Sequence, residues 1–68
     1  MIAFDVQDMS CGHCVNAITQ AVRAADAGAQ VEIDLVAHRV RIEPAAASGE
    51  ALAAAIREAG YTPVAVPA

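Results

Sequence analysis

A chain of 68 residues with four Lys+Arg against eight Asp+Glu, a net charge of -4, is one domain near the lower size limit for a core that folds without staples. Its length leaves no room for a large catalytic cleft, its acidity makes nucleic acid and anionic membranes poor partners, and no apolar run approaches a membrane span. Hydrophobic residues make up 57% of the chain but aromatics only 3%, so the core must be small and built from Val, Ile and Leu.

In chain order, Ile2, Phe4 and Val6 alternate with Ala3, Asp5 and Gln7, the period of two of a half-buried strand. Met9-Ser10-Cys11-Gly12-His13-Cys14 follows and holds both cysteines. The spacing of Val15, Ile18, Val22 and Ala25 predicts a helix from about His13 to Ala25, with Ser10 as candidate N-cap and Gly28 as its stop. Val31, Ile33 and Leu35 alternate with Gln30, Glu32 and Asp34 as a second strand. Val36, Ala37 and His38 then connect to Val40 and Ile42, flanked by outward Arg39, Arg41 and Glu43, the returning arm of a hairpin that Pro44 ends. Ser48 caps a second helix, with Glu50 in its first turn and an apolar stripe of Leu52, Ala55, Ile56 and Ala59, and Gly60 stops it. Thr62 to Val66 reads as a fourth strand, confined to a sheet edge by Pro63.

The order βαββαβ, with right-handed crossovers and both helices on one face, predicts an α+β, ferredoxin-like sandwich. It is a single domain over residues 1–68, with a four-stranded antiparallel sheet in the order 4-1-3-2. Three connections then share one end: the cysteine loop, the hairpin turn with His38, and the Gly60-Tyr61 loop. Tyr61 leads into the strand beside strand one. His38 is expected to lie too far sideways to reach the thiols, with strands ~4.8 Å apart, and reads as a turn residue.

One thiol in a loop and the other in a first helical turn are easier to ionise than ordinary cysteines, since helix N-termini carry positive partial charge. The thiolate is both metal ligand and nucleophile, so a soft-metal site and a redox dithiol compete. The absence of a basic leader makes the cytoplasm the default compartment and Met1, almost at strand one, suits a complete protein. Thiols stay reduced there, and a disulfide between such close cysteines would stabilise little.

The residues Met9-Ser10-Cys11-Gly12-His13-Cys14 with Ile18, Ala21-Val22, Val31, Ile33, Asp34-Leu35, Val40, Ile42, Leu52, Ala55-Ile56 and Ala59-Gly60-Tyr61 resemble the heavy-metal-associated (HMA) domain family, and within it the free-standing bacterial copper chaperones. The resemblance covers essentially the whole chain. It departs at Asp8, where the family commonly has Gly, and this places a negative charge near the motif. It implies a metal carrier rather than an enzyme, with an acceptor that is the metal-binding domain of a copper-transporting P-type ATPase or a copper-responsive regulator. The molecule is then a monomer without metal, and a metal-bridged dimer is a further state open to it.

The chemistry points the same way. Two thiolates form a low-coordinate soft site that suits Cu(I), whereas structural zinc normally takes four protein ligands. Ser10 stands where zinc- and cadmium-linked relatives often carry Asp. Cys11 and Cys14 are thus the expected ligands. His13 is either an auxiliary, joining a shared metal or stabilising a thiolate, or a solvent-facing residue; Met9 is a thioether ligand or, more commonly, core filler that anchors the loop. Tyr61 shields the site, closes the core, or does both. The rival readings are a thiol-disulfide oxidoreductase, because C-G-H-C is also a redox sequence, and a mercury- or zinc-binding domain of the same fold. The oxidoreductases usually place an aromatic residue where Ser10 stands and need a longer, thioredoxin-like chain. Haem attachment through C-x-x-C-H fails because Val15 follows Cys14.

Overall fold

Alternation and helical spacing become six elements in the computed structural model, which describes residues 1–9 and 12–67. They are β1 (Ile2–Val6), α1 (Gly12–Ala25), β2 (Gln30–Asp34), β3 (Arg39–Glu43), α2 (Gly49–Glu58) and β4 (Pro63–Val66). The strands form one antiparallel sheet in the order β2-β3-β1-β4, the ferredoxin-like order expected, with β4 at an edge as Pro63 demands. The candidate cap Ser10 lies outside the described residues.

Register explains which side chains face inward. Phe4 stands opposite Val40 and Ala65, and Ile42 opposite Ile2 and Val31, so one face of the sheet is apolar across its width. The other face pairs Glu32 with Arg41, and Asp34 with Arg39, whose other neighbour is Asp5. Arg39 Nε donates to Asp5 Oδ1 at 3.2 Å, a half-exposed ion pair contributing about 0.5 kcal/mol. Ile18 and Val22 of α1 and Leu52, Ala53 and Ile56 of α2 close over the apolar face. Met9, Ile18, Leu52 and Ile56 have no exposed surface at all, so Ile56→Ala is expected to cost about 3 kcal/mol, a large share of a small domain's stability. Val31 and Ile33 are only partly buried, as edge-strand residues are.

The helix ends show where local pattern misleads. Ser48 caps α2 as expected, its hydroxyl accepting from the Ala51 N–H at 3.2 Å. Gly60 ends the same helix with φ +101°, a conformation glycine adopts without a Cβ penalty. Ala59 is the exposed C-cap rather than part of the stripe, and Ala53 takes its place in the core. Gly28 does not stop α1. That helix ends at Ala25, and the buried Asp26 turns the chain: its Oδ2 accepts from the N–H groups of Ala45, Ala46 and Ala47 at 2.8, 2.8 and 2.9 Å, and its Oδ1 from Gly28 at 3.3 Å. Gly28 is required for a different reason, since a Cβ there would lie 2.8 Å from the Ala45 Cβ.

No helix among the described residues is long and apolar enough to cross a membrane.

Candidate metal centre

Three connections meet at one end of the sandwich, and hydrogen bonds between them set the frame of the cysteine motif. Residues Val6 to Met9 form a closed turn, with the Met9 N–H on the Val6 carbonyl at 3.2 Å. The Met9 side chain is fully buried in the core cluster, so the turn is anchored from below just before the motif. On one flank, Asp8 Oδ1 accepts from the Thr62 N–H at 3.3 Å and ties the turn to the loop that carries Tyr61. On the other flank, His38 Nδ1 lies 2.7 Å from the Met9 carbonyl oxygen, and the His38 carbonyl accepts from the Val6 N–H at 2.8 Å.

Cys14 is the third residue of α1, half-buried and packed against the core. It belongs to the first turn of the helix, the end whose free N–H groups and dipole favour an anion. Gly12 and His13 are exposed. Tyr61 is half-buried, packs on the core, and its N–H reaches the Ile56 carbonyl at 3.3 Å. Cys11 lies outside the described residues. Among the described residues no three His, Cys, Asp or Glu side chains converge on a common point.

His38 is more than the turn residue expected. It does occupy the turn after β2, but β3 is the immediate neighbour of β1, so a single strand spacing separates it from the motif loop, and the imidazole spans that distance. It also adopts φ +54°, the left-handed region, at a cost on the order of 1 kcal/mol that surrounding contacts must offset. The turn leading to it is shaped by Asp34 Oδ1, which accepts from the N–H groups of Val36 and Ala37 at 3.0 and 3.2 Å. A histidine at the last position of a hairpin loop, where glycine is the usual choice, is the sequence signal that something other than the turn selects it.

Comparison with known proteins adds to this geometry. The model of the heavy-metal-associated domain matches residues 3–62. A comparison with curated protein sequences finds no match. Among solved structures, the copper chaperone Atx1 from Synechocystis PCC6803 is 38% identical, with TM-score 0.88, covering 93% of this chain and 98% of that one. A gold binding protein is 32% identical, with TM-score 0.90, covering 97% of this chain and all of the other. The N-terminal domain of PacS, also from Synechocystis PCC6803, shares the fold at TM-score 0.81 and 21% identity, over 97% of this chain and 96% of that domain.

Proposed function

Since the chain belongs to the heavy-metal-associated domain family, we propose that it carries Cu(I) between proteins on a two-thiolate site made by Cys11 and Cys14. The observation that carries this reading is Cys14 in the first turn of α1, beside a turn that three separate contacts hold still. A dipole end that favours anionic sulfur and a second thiol three residues earlier make a soft, low-coordinate donor pair, suited to a d10 monovalent ion and poor for zinc, whose tetrahedron needs two further ligands. Incomplete coordination is what a carrier needs. An acceptor thiolate adds to the bound ion as a third ligand, one original thiolate then dissociates, and the ion moves across with no change in oxidation state.

The acceptor is a domain with its own cysteine pair, either the metal-binding domain of a copper-transporting P-type ATPase or a copper-responsive regulator, and exchange takes place in the cytoplasm. His13, exposed beside the motif, is available to a metal shared between two molecules, while the buried Met9 anchors the loop. The redox-dithiol reading is disfavoured because its motif belongs to a thioredoxin-like scaffold and this chain has a ferredoxin-like one. Gold(I), another soft d10 ion, suits the same donor pair, and the gold binding protein among the solved structures makes it a second cargo to test.

Competition against a Cu(I)-specific chelator under anaerobic conditions is the test. One Cu(I) per chain is expected, with Zn(II) bound more weakly. Full Cu(I) affinity in the double variant Cys11→Ser, Cys14→Ser would overturn the assignment.

A further inference from the structure

We infer that His38 is a positioning residue for the metal-binding loop, holding both ends of the Val6–Met9 turn from across the sheet. Its carbonyl takes the Val6 N–H at 2.8 Å and its imidazole Nδ1 bonds the Met9 carbonyl at 2.7 Å, so one residue brackets the turn that delivers the chain to Cys11. The inference rests on the proposed metal site for its consequence, and on the hydrogen bonds alone for its structure.

The chemistry of the contact fixes the state of the ring. A carbonyl oxygen only accepts, so Nδ1 must carry the hydrogen, and in the neutral ring Nε2 is then the bare nitrogen. The backbone at His38 is strained as well. With φ +54° at the end of a hairpin loop, glycine would fit with less strain, but it would bring no side chain to the Met9 carbonyl. Met9 is already restrained on two sides, because its side chain is fully buried and its N–H is bonded to the Val6 carbonyl. The imidazole completes the restraint by occupying the carbonyl, the last polar group of the turn before the motif. A loop held in this way loses less conformational freedom when two sulfurs close on one ion, and that saving appears as affinity.

Three substitutions separate this role from packing. His38→Gly relieves the left-handed backbone and deletes the donor. His38→Asn tolerates the same φ and places its amide nitrogen at the Nδ1 distance from the backbone. His38→Gln places its amide one bond further out, at the Nε2 distance. In chelator competition, His38→Gly is expected to hold Cu(I) about fivefold more weakly, the worth of one ordinary hydrogen bond. His38→Asn should restore the wild-type value and His38→Gln should not.

Two readouts need no metal. Long-range 1H–15N correlation of the imidazole in the metal-free protein should show the Nδ1–H tautomer. Amide exchange at Met9 should quicken about fivefold in His38→Gly and return to normal in His38→Asn. An Nε2–H tautomer, unchanged Met9 exchange in the glycine variant, or equal rescue by Gln and Asn would overturn the inference. If the wild type fails to bind Cu(I) while tautomer and exchange behave as stated, the metal assignment fails and the positioning role stands.

Discussion

The carboxylate of Asp26 grips the backbone of Ala46: its Oδ2 accepts that N–H at 2.8 Å together with those of the two flanking alanines, tying the end of α1 to the segment that leads into α2. Three successive amides converging on one oxygen make a small anion site in the fold. The hydrogen bonds from Ala46 and Ala47 lower the carboxyl pKa to about 2 from its ordinary 3.8, with Ala45 and Gly28 adding to them and desolvation opposing.

The sign of the resulting pH dependence follows from that shift. A carboxyl whose pKa is depressed in the folded state contributes its full stability above the unfolded value, near 4, and loses it as pH falls through the folded value of about 2. Melting temperatures of the metal-free protein are expected to fall across that window. Asp26→Asn should melt lower at neutral pH, because an amide offers one acceptor oxygen where the carboxylate offers two, and should lack that part of the acid decline. Parallel melting curves for the two proteins across the window would show that the carboxylate carries no such linkage.

Asp26 and His38 also mark what a linear reading of this chain passes over. The strands at 2–6, 30–34 and 39–43 were legible because side-chain alternation is a local code, and the edge position of β4 because Pro63 lacks an amide hydrogen. The start of α1 beside the second cysteine was legible because helical spacing is a property of neighbouring residues. Asp26 reaches backbone groups 19 to 21 residues away, and His38 one that is 29 away. Backbone N–H and C=O groups are the same at every position, so no residue type announces the partner. The hints in the chain were indirect: an aspartate directly after a helix with a Pro44-Ala45-Ala46-Ala47 linker later on, and a histidine where a hairpin favours glycine. Asp8, which departs from the family's usual Gly and places a negative charge near the motif, also ties two loops together.

Gly28→Ala tests the packing between these segments. Replacing a glycine whose backbone is not left-handed gains about 0.4–1 kcal/mol by restricting the unfolded chain. Here the new methyl would lie 2.8 Å from the Ala45 Cβ, on a segment that Asp26 fixes by three hydrogen bonds, and overpacking of that kind costs about 1–3 kcal/mol. Overpacking therefore outweighs the entropic gain, and the variant should melt several degrees lower in a thermal scan. Gly12→Ala, where an added Cβ meets nothing within 4 Å, is the control and should not.

Asp8 separates tethering from charge. Asp8→Asn keeps an acceptor for the Thr62 N–H and removes a negative charge beside the motif, while Asp8→Gly removes both. If the acidic chain meets a basic acceptor by electrostatic steering, metal transfer slows with added salt, and both variants should flatten that dependence equally. Only Asp8→Gly should also weaken Cu(I) retention by loosening the loop. Stopped-flow transfer and chelator competition on both variants distinguish the two effects, and equal retention by Asn and Gly would show that the Thr62 contact does not support the site.

The two cysteines are expected to act in order. Cys14 is held in the first turn of α1, half-buried and packed on the core, which restricts its rotamers, whereas Cys11 precedes the helix in sequence. An incoming thiolate raises the bound Cu(I) to three-coordination, and the original ligand with more freedom to rotate is the one that leaves. Cys11 should therefore make the first exchange and Cys14 should release last. The single variants differ accordingly. Cys11→Ser should abolish the copper-bridged complex with the acceptor, because the entry point is gone. Cys14→Ser should still form that complex but leak metal, because the anchor is gone. Gel filtration with copper analysis of each fraction reads both outcomes, and identical elution and copper content for the two variants would show that the helix imposes no order on the sulfurs.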